Sequence, residues 1–178
     1  METHPLPKQV VDLRKFPDMN FSFSGNAGER KYLGLQDGQS KLSLASLDAK
    51  YFLLLLVEEG HAENSQSVWS VDAARKDLEC CTPDMFYIAI GFGMNRREAM
   101  RFHKINKAGF PMLADPLEQS AALRDGLQLP TVLMLKKEGR EFVEMFSCSD
   151  LVSGPAPLVK RINDALSGKP GRKCIRRK

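Results

Sequence analysis

The run Tyr51–Val57, YFLLLLV, constrains this chain more than any other stretch. Seven apolar residues without alternation leave neither face of a pleated strand suited to water. The run is far short of the roughly 20 residues that cross a bilayer. It therefore predicts a central strand in a sheet covered on both sides. A chain of 178 residues can supply the two covering layers within one domain, burying about two thirds of its unfolded surface.

The elements around that strand alternate. A helix is expected over residues 65–78, with Val68, Val71 and Leu78 on one stripe, followed by a second apolar strand, Met85–Gly91. Asn95-Arg96-Arg97-Glu98 has the form of a capping box, and its helix should run to Gly109. Asp115-Pro116-Leu117-Glu118 predicts another helix start, with its stop at Gly126. Leu129–Leu135 reads as a strand with Pro130 at its entrance, where a missing N–H is tolerated. A turn at 136–140, a return strand over 141–147 and a helix over 157–166 complete the series. Upstream, residues 21–24 alternate as a short strand. Residues 25–28 read as a polar turn, Asp37-Gly38 as another, and Leu42, Leu44 and Leu47 as a strand leading into a helical turn. The order β-α-β-α-α-β-β-α predicts an α/β domain: a mixed central β-sheet flanked by helices on both faces.

Charge divides the chain. Residues 169–178 hold six basic residues and no acid, so subtracting them from the total of +4 leaves residues 1–168 at −2. The organisation expected is a lead-in segment over 1–20, a domain over 21–167 and a basic, unstructured tail over 168–178. Such a tail would make weak, salt-sensitive contacts with anionic surfaces, and no other nucleic-acid binding is expected. The first residues show no apolar core behind a basic start, and no transmembrane segment is evident. The four cysteines, Cys80, Cys81, Cys148 and Cys174, show neither CxxC nor zinc spacing. A cytoplasmic protein with reduced thiols is the expectation.

Two stretches carry a family resemblance. "KLSLASLDAKYFLLLLV" and "FPMLADPLEQSAALRDGLQLPTVLMLKKEGREFVEMF" resemble the strand entry and the Phe-Pro, Asp-Pro and Leu-Pro-Thr sequence of the thioredoxin-fold redoxins, TlpA-like and AhpC/TSA-like. The likeness spans about residues 21–167. It implies a thioredoxin-like layout with Pro130 as the cis-proline beside the active-site helix, and Leu129, Pro130 and His61 lining a binding groove. In that family the strand-to-helix junction carries Cys-x-x-Cys or one peroxidatic cysteine, because a helix N-terminus stabilises a thiolate. Here the aligned positions are Ala62 and Ser65, so the motif reads AENS. A methyl and a hydroxyl cannot cycle between thiol and disulfide. These positions are vestigial.

Other constellations were weighed against structural readings. Ser65 with His61 has the makings of a nucleophile and base, yet Ser65 is expected as an N-cap, and His61 lacks an evident orienting partner. His61-Ala62-Glu63 echoes the H-x-E of zinc deaminases without their P-C-x-x-C. His4, His61 and His103 form no metal-ligand pattern, and no cofactor is expected. Gly91-Phe92-Gly93-Met94-Asn95-Arg96 is a partial dinucleotide fingerprint, with Arg96 in place of the third glycine.

Three readings follow. The leading one is a catalytically degenerate redoxin-like protein, not an enzyme, that binds a protein or peptide partner and self-associates. A second is a thiol oxidoreductase or peroxidase using a displaced Cys148, which the implied fold brings near Pro130 and Ser65. The third is an anion- or nucleotide-binding module at Gly91–Arg97.

Overall fold

Alternate residues of the central strand divide between two cores. In the computed structural model, which describes residues 13–80, 84–149 and 151–168, strand β4 (Tyr51–Val57) sends Leu53, Leu55 and Val57 into one cluster and Phe52, Leu54 and Leu56 into the other. All six are at most 1% exposed. Each buried leucine contributes about 1.5–3 kcal/mol by leaving water, which is why this run can only be central.

The described chain runs β1 (Lys15–Phe16), β2 (Asn20–Ser22), α1 (Ala27–Leu33), β3 (Lys41–Ser43), a 3-10 turn (Leu44–Ser46), β4, α2 (Asn64–Leu78), β5 (Met85–Phe92), α3 (Arg96–Asn106), β6 (Met112–Asp115), α4 (Ala121–Arg124), β7 (Thr131–Glu138), β8 (Glu141–Cys148) and α5 (Pro155–Leu166). One eight-stranded sheet has the order β1-β8-β7-β4-β5-β6-β2-β3. Strands β4, β5 and β6 are parallel, whereas β7, β8, β1, β2 and β3 pair antiparallel to their neighbours. Helices α2, α3 and α5 pack on one face around Val68, Val71, Phe102, Leu158 and Ile162. The other face is covered by α1, α4, the 3-10 turn and the N-terminal segment, through Leu33, Leu123, Leu44 and Phe21.

The sheet cannot be flat. Strands β1 and β2 lie six strand spacings apart in the order, about 29 Å at about 4.8 Å per step. The four-residue step from Phe16 to Asn20 spans at most about 14 Å. The sheet therefore curls until its two ends meet. Asp18 sits at the meeting point. Its carboxylate accepts from the Ser43 hydroxyl at one end and from Arg140 Nη2 (2.9 Å) in the β7–β8 turn at the other. Lys137 Nζ donates to the carbonyls of Ala45 (3.1 Å) and Leu47 (2.8 Å) across the same seam.

Several expectations change here. Residues 15–16 and 20, read as lead-in, already belong to strands. The Gly25–Gly28 stretch opens α1: the Asn26 side chain accepts from Glu29 N (2.9 Å), and Gly34 ends the helix in the left-handed region at φ 69°. Strand β6 was absent from the expected order, because four residues between two prolines carry no readable period. The helix expected from Asp115 shrinks to α4. The Asp115 carboxylate accepts from the Gln119 and Ser120 amides, at 2.8 Å each, and Glu118 takes φ 54°, which a helix cannot contain. Helix α3 ends at Lys107 in the left-handed region, two residues before the expected glycine. Strand β7 extends to Glu138, so the turn tightens onto Gly139. The tail from 169 onward lies outside the described residues, as do Cys81 and Cys174.

Candidate functional site

The register between β4 and β7 pairs Leu56 with Thr131, so Pro130 falls beside the end of β4, where the chain leaves for α2. The Leu129–Pro130 peptide bond is cis, and both residues are buried. Loop residues 58–63 connect β4 to α2, with Ala62 and His61 exposed.

Helix α2 starts one residue earlier than expected, and this changes the role of Ser65. Glu63 already has helical backbone angles, φ −87° and ψ −4°, at the N-cap. Ser65 is therefore inside the first turn and does not cap it. Its Oγ instead donates to Asn106 Oδ1 of α3 at 2.8 Å, while Asn106 Nδ2 donates to the Phe102 carbonyl at 2.9 Å. A hydroxyl engaged this way is a strut between two helices. It has no hydrogen bond to His61, which removes the nucleophile–base pairing. Asn64 Nδ2 donates to the Glu58 carbonyl (2.8 Å), pinning the loop, and Asn64 Oδ1 is buried with no donor among the described residues.

His61 does have an orienting partner. Its Nε2 lies 3.8 Å from Glu58 Oε2, and the same carboxylate oxygen meets Arg124 Nη2 at 3.2 Å. The Arg124 guanidinium stacks over the Phe92 ring, 4.6 Å from its centroid. Sequence reasoning missed Glu58, Phe92 and Arg124 as a group because they come from the ends of three different elements. The one sequence signal was the Glu58-Glu59 pair directly after β4.

Cys148 reaches the expected end of the sheet, where it is buried. It pairs with Val132, and its carbonyl accepts from Thr131 Oγ1 at 3.1 Å. The residue is 2% exposed and belongs to the core that also holds Val68, Leu151 and Leu158. A thiol this enclosed cannot meet a disulfide or a peroxide without local opening. Cys80, at the far end of α2, is exposed.

The glycine-rich stretch at 91–97 is built for packing. A Cβ on Gly91 would lie 2.6 Å from Met94 Sδ and 2.9 Å from Met112 Cε, so a larger residue would have to displace these two side chains. The Asn95 side chain accepts from the Arg97 and Glu98 amides, and Glu98 accepts from the Asn95 amide, completing a capping box. Donors that a phosphate would use are taken. The opening beside Gly93 is bordered by Glu58, Glu59, Glu98 and Glu118 together with Arg124, which disfavours an anion. Among the described residues no cluster of three or more His, Cys, Asp or Glu is arranged to hold a metal ion, and no helix is long and apolar enough to cross a membrane.

No protein-family model and no curated protein sequence matches the chain. Solved structures do. A chain from Chlorobium tepidum assigned as thiol:disulfide interchange protein DsbE superposes with TM-score 0.60 at 16% identity, covering 85% of this chain and 95% of that one. A DsbF homologue from Corynebacterium diphtheriae gives TM-score 0.56 at 15% identity, covering 92% and 98%. The thioredoxin domain of a thiol-disulfide oxidoreductase from Bacteroides vulgatus gives 0.56 at 10%, covering 83% and 94%. Identities this low establish a shared fold, the thioredoxin fold, and carry no activity with it.

Proposed function

We propose that this thioredoxin-fold chain is a binding module whose redox positions have lost their sulfur, and that the end of β4 beside Pro130 receives an extended segment of a protein partner. One observation carries the reading. The two positions that would exchange electrons hold Ala62 and Ser65, and the Ser65 hydroxyl is committed to Asn106. Nothing at the mouth of α2 can attack a disulfide. The burial of Cys148 supports the same reading by removing the alternative nucleophile. On this reading the protein works in a reducing compartment, the cytoplasm, since its described cysteines form no disulfide.

The test has two arms. The protein should reduce insulin with dithiothreitol no faster than the blank, whereas turnover equal to that of a CxxC protein would overturn the reading. In the second arm, S-carboxymethylated insulin B chain, an extended polypeptide without thiols, should shift the amide resonances of Leu129 and Thr131. If those amides stay in place at millimolar peptide, the groove binds no extended chain.

A further inference from the structure

The face of α3 turned away from α2 borders a cleft that the reading above does not use. Asn106 ties α3 to α2, and Lys104 lies about 200° around the helix from it at 100° per residue. On Lys104's side, Arg96, Met100 and Lys104 recur every fourth residue and form one stripe. The opposite wall is the β2–α1 connection, brought close where Ser24 Oγ meets the Arg96 carbonyl at 3.5 Å. Between them lies a cavity of about 240 Å³.

Its chemistry is asymmetric. The interior is apolar: Ala99 and Met112 are 4% and 6% exposed, Ala114 is buried on β6, and Met100 stands at the mouth 54% exposed. One end is closed by Glu29 and His103, whose Oε2 and Nε2 lie 3.9 Å apart, with His103 Nε2 donating to the Phe110 carbonyl at 2.9 Å. Arg96 and the hydroxyl-bearing Ser22 and Ser24 also line the cavity.

The cations on this stripe differ from five arginines elsewhere in the domain. Arg14, Arg75, Arg101, Arg124 and Arg140 each pair with a carboxylate. Among the described residues, Arg96 and Lys104 pair with none. Two uncompensated cations flanking an apolar hollow attract a negative group attached to an apolar body.

We propose that this cleft binds a small apolar carboxylic acid, its carboxylate held by Arg96 near the Ser22 and Ser24 hydroxyls and its hydrocarbon laid over Ala99, Met100 and Met112. The volume lies below the roughly 300–1,000 Å³ of sites for drug-sized molecules, which fits a single ring or a short chain. This site is separate from the groove at Pro130 and stands whether or not that groove binds a peptide.

The experiment is a titration of the isotope-labelled full chain with 3-phenylpropionate, followed by amide resonances. The amides of Ser24, Ala99 and Met100 should shift saturably. Arg96→Glu should weaken binding by about tenfold or more, the scale of a lost charge-assisted hydrogen bond. Arg97→Glu, whose amide is held by Asn95 and whose side chain lies off the stripe, should leave it unchanged. Met100→Glu, on an exposed position that tolerates polarity, should also abolish the shifts. The proposal is overturned if the cleft amides do not move at millimolar acid. Equal binding of the neutral 3-phenylpropanamide, or equal loss in both arginine variants, overturns it too. So do shifts confined to Leu129 and Thr131.

Discussion

The hydroxyl of Ser65 donates to Oδ1 of Asn106 across 2.8 Å, joining the first turn of α2 to the last turn of α3. It is a brace.

Removing the brace should cost stability and nothing else. Ser65→Ala is expected to destabilise by about 0.5–1.5 kcal/mol, the net value of one hydrogen bond. Asn106→Ala should cost more, because the Phe102 carbonyl also loses its donor. Urea unfolding measures both. Two equal and negligible effects would mean the link is geometric only.

The double change Ala62→Cys with Ser65→Cys places a CxxC pattern at a helix N-terminus, where thiolates are stabilised. The variant should gain measurable insulin reduction over the parent. No gain, in a variant shown to be folded, would mean that the groove beside Pro130 no longer admits a disulfide.

Thiol labelling should separate the two described cysteines. Iodoacetamide on the native protein, mapped by mass spectrometry, should modify Cys80 within minutes and spare Cys148 until denaturant is added. Rapid native modification of Cys148 would revive the displaced-thiol reading.

Asp18 should give the seam a pH dependence. Burial opposes its charged form, but the Ser43 hydroxyl and the Ala45 and Met19 amides outweigh that, and Arg140 adds attraction, so its carboxyl titrates below the usual range. A lowered folded-state value means the contribution is complete above the unfolded value of about 3.9 and drains away as pH falls through the folded one. Asp18→Asn should therefore lower stability at neutral pH and flatten the loss at acid pH. Parallel acid-unfolding curves for the two proteins would contradict this.

Truncating the central strand should be the most damaging single change. Leu54→Ala, at 0% exposure, is expected to cost about 2–5 kcal/mol. A midpoint shift in urea corresponding to less than about 1 kcal/mol would mean the second core repacks freely.

Much of this was visible in the letters. Tyr51–Val57 announced a strand covered twice over, and Asn95 with Glu98 announced a capping box. What stayed hidden was long-range. Nothing local says that Lys15–Phe16 and Asn20–Ser22 join opposite ends of one sheet, since pairing partners are set by distant contacts. Gly28 inside α1 disguised a helix, and prolines on either side disguised β6. The Glu58–His61–Arg124 grouping depends on where three elements end, and the strut role of Ser65 depended on a helix boundary displaced by one residue.

The curl described for the sheet has a consequence for how the molecule is made. Its closing contact joins Asp18 to Arg140, and its first strand is held to β8 by Arg14 and Glu144, partners in both cases more than a hundred positions apart. A nascent chain must hold β1 without its partner until the last hairpin has been synthesised, a search that long sequence separations make slow. The first strand of this domain and its last hairpin are thus committed together.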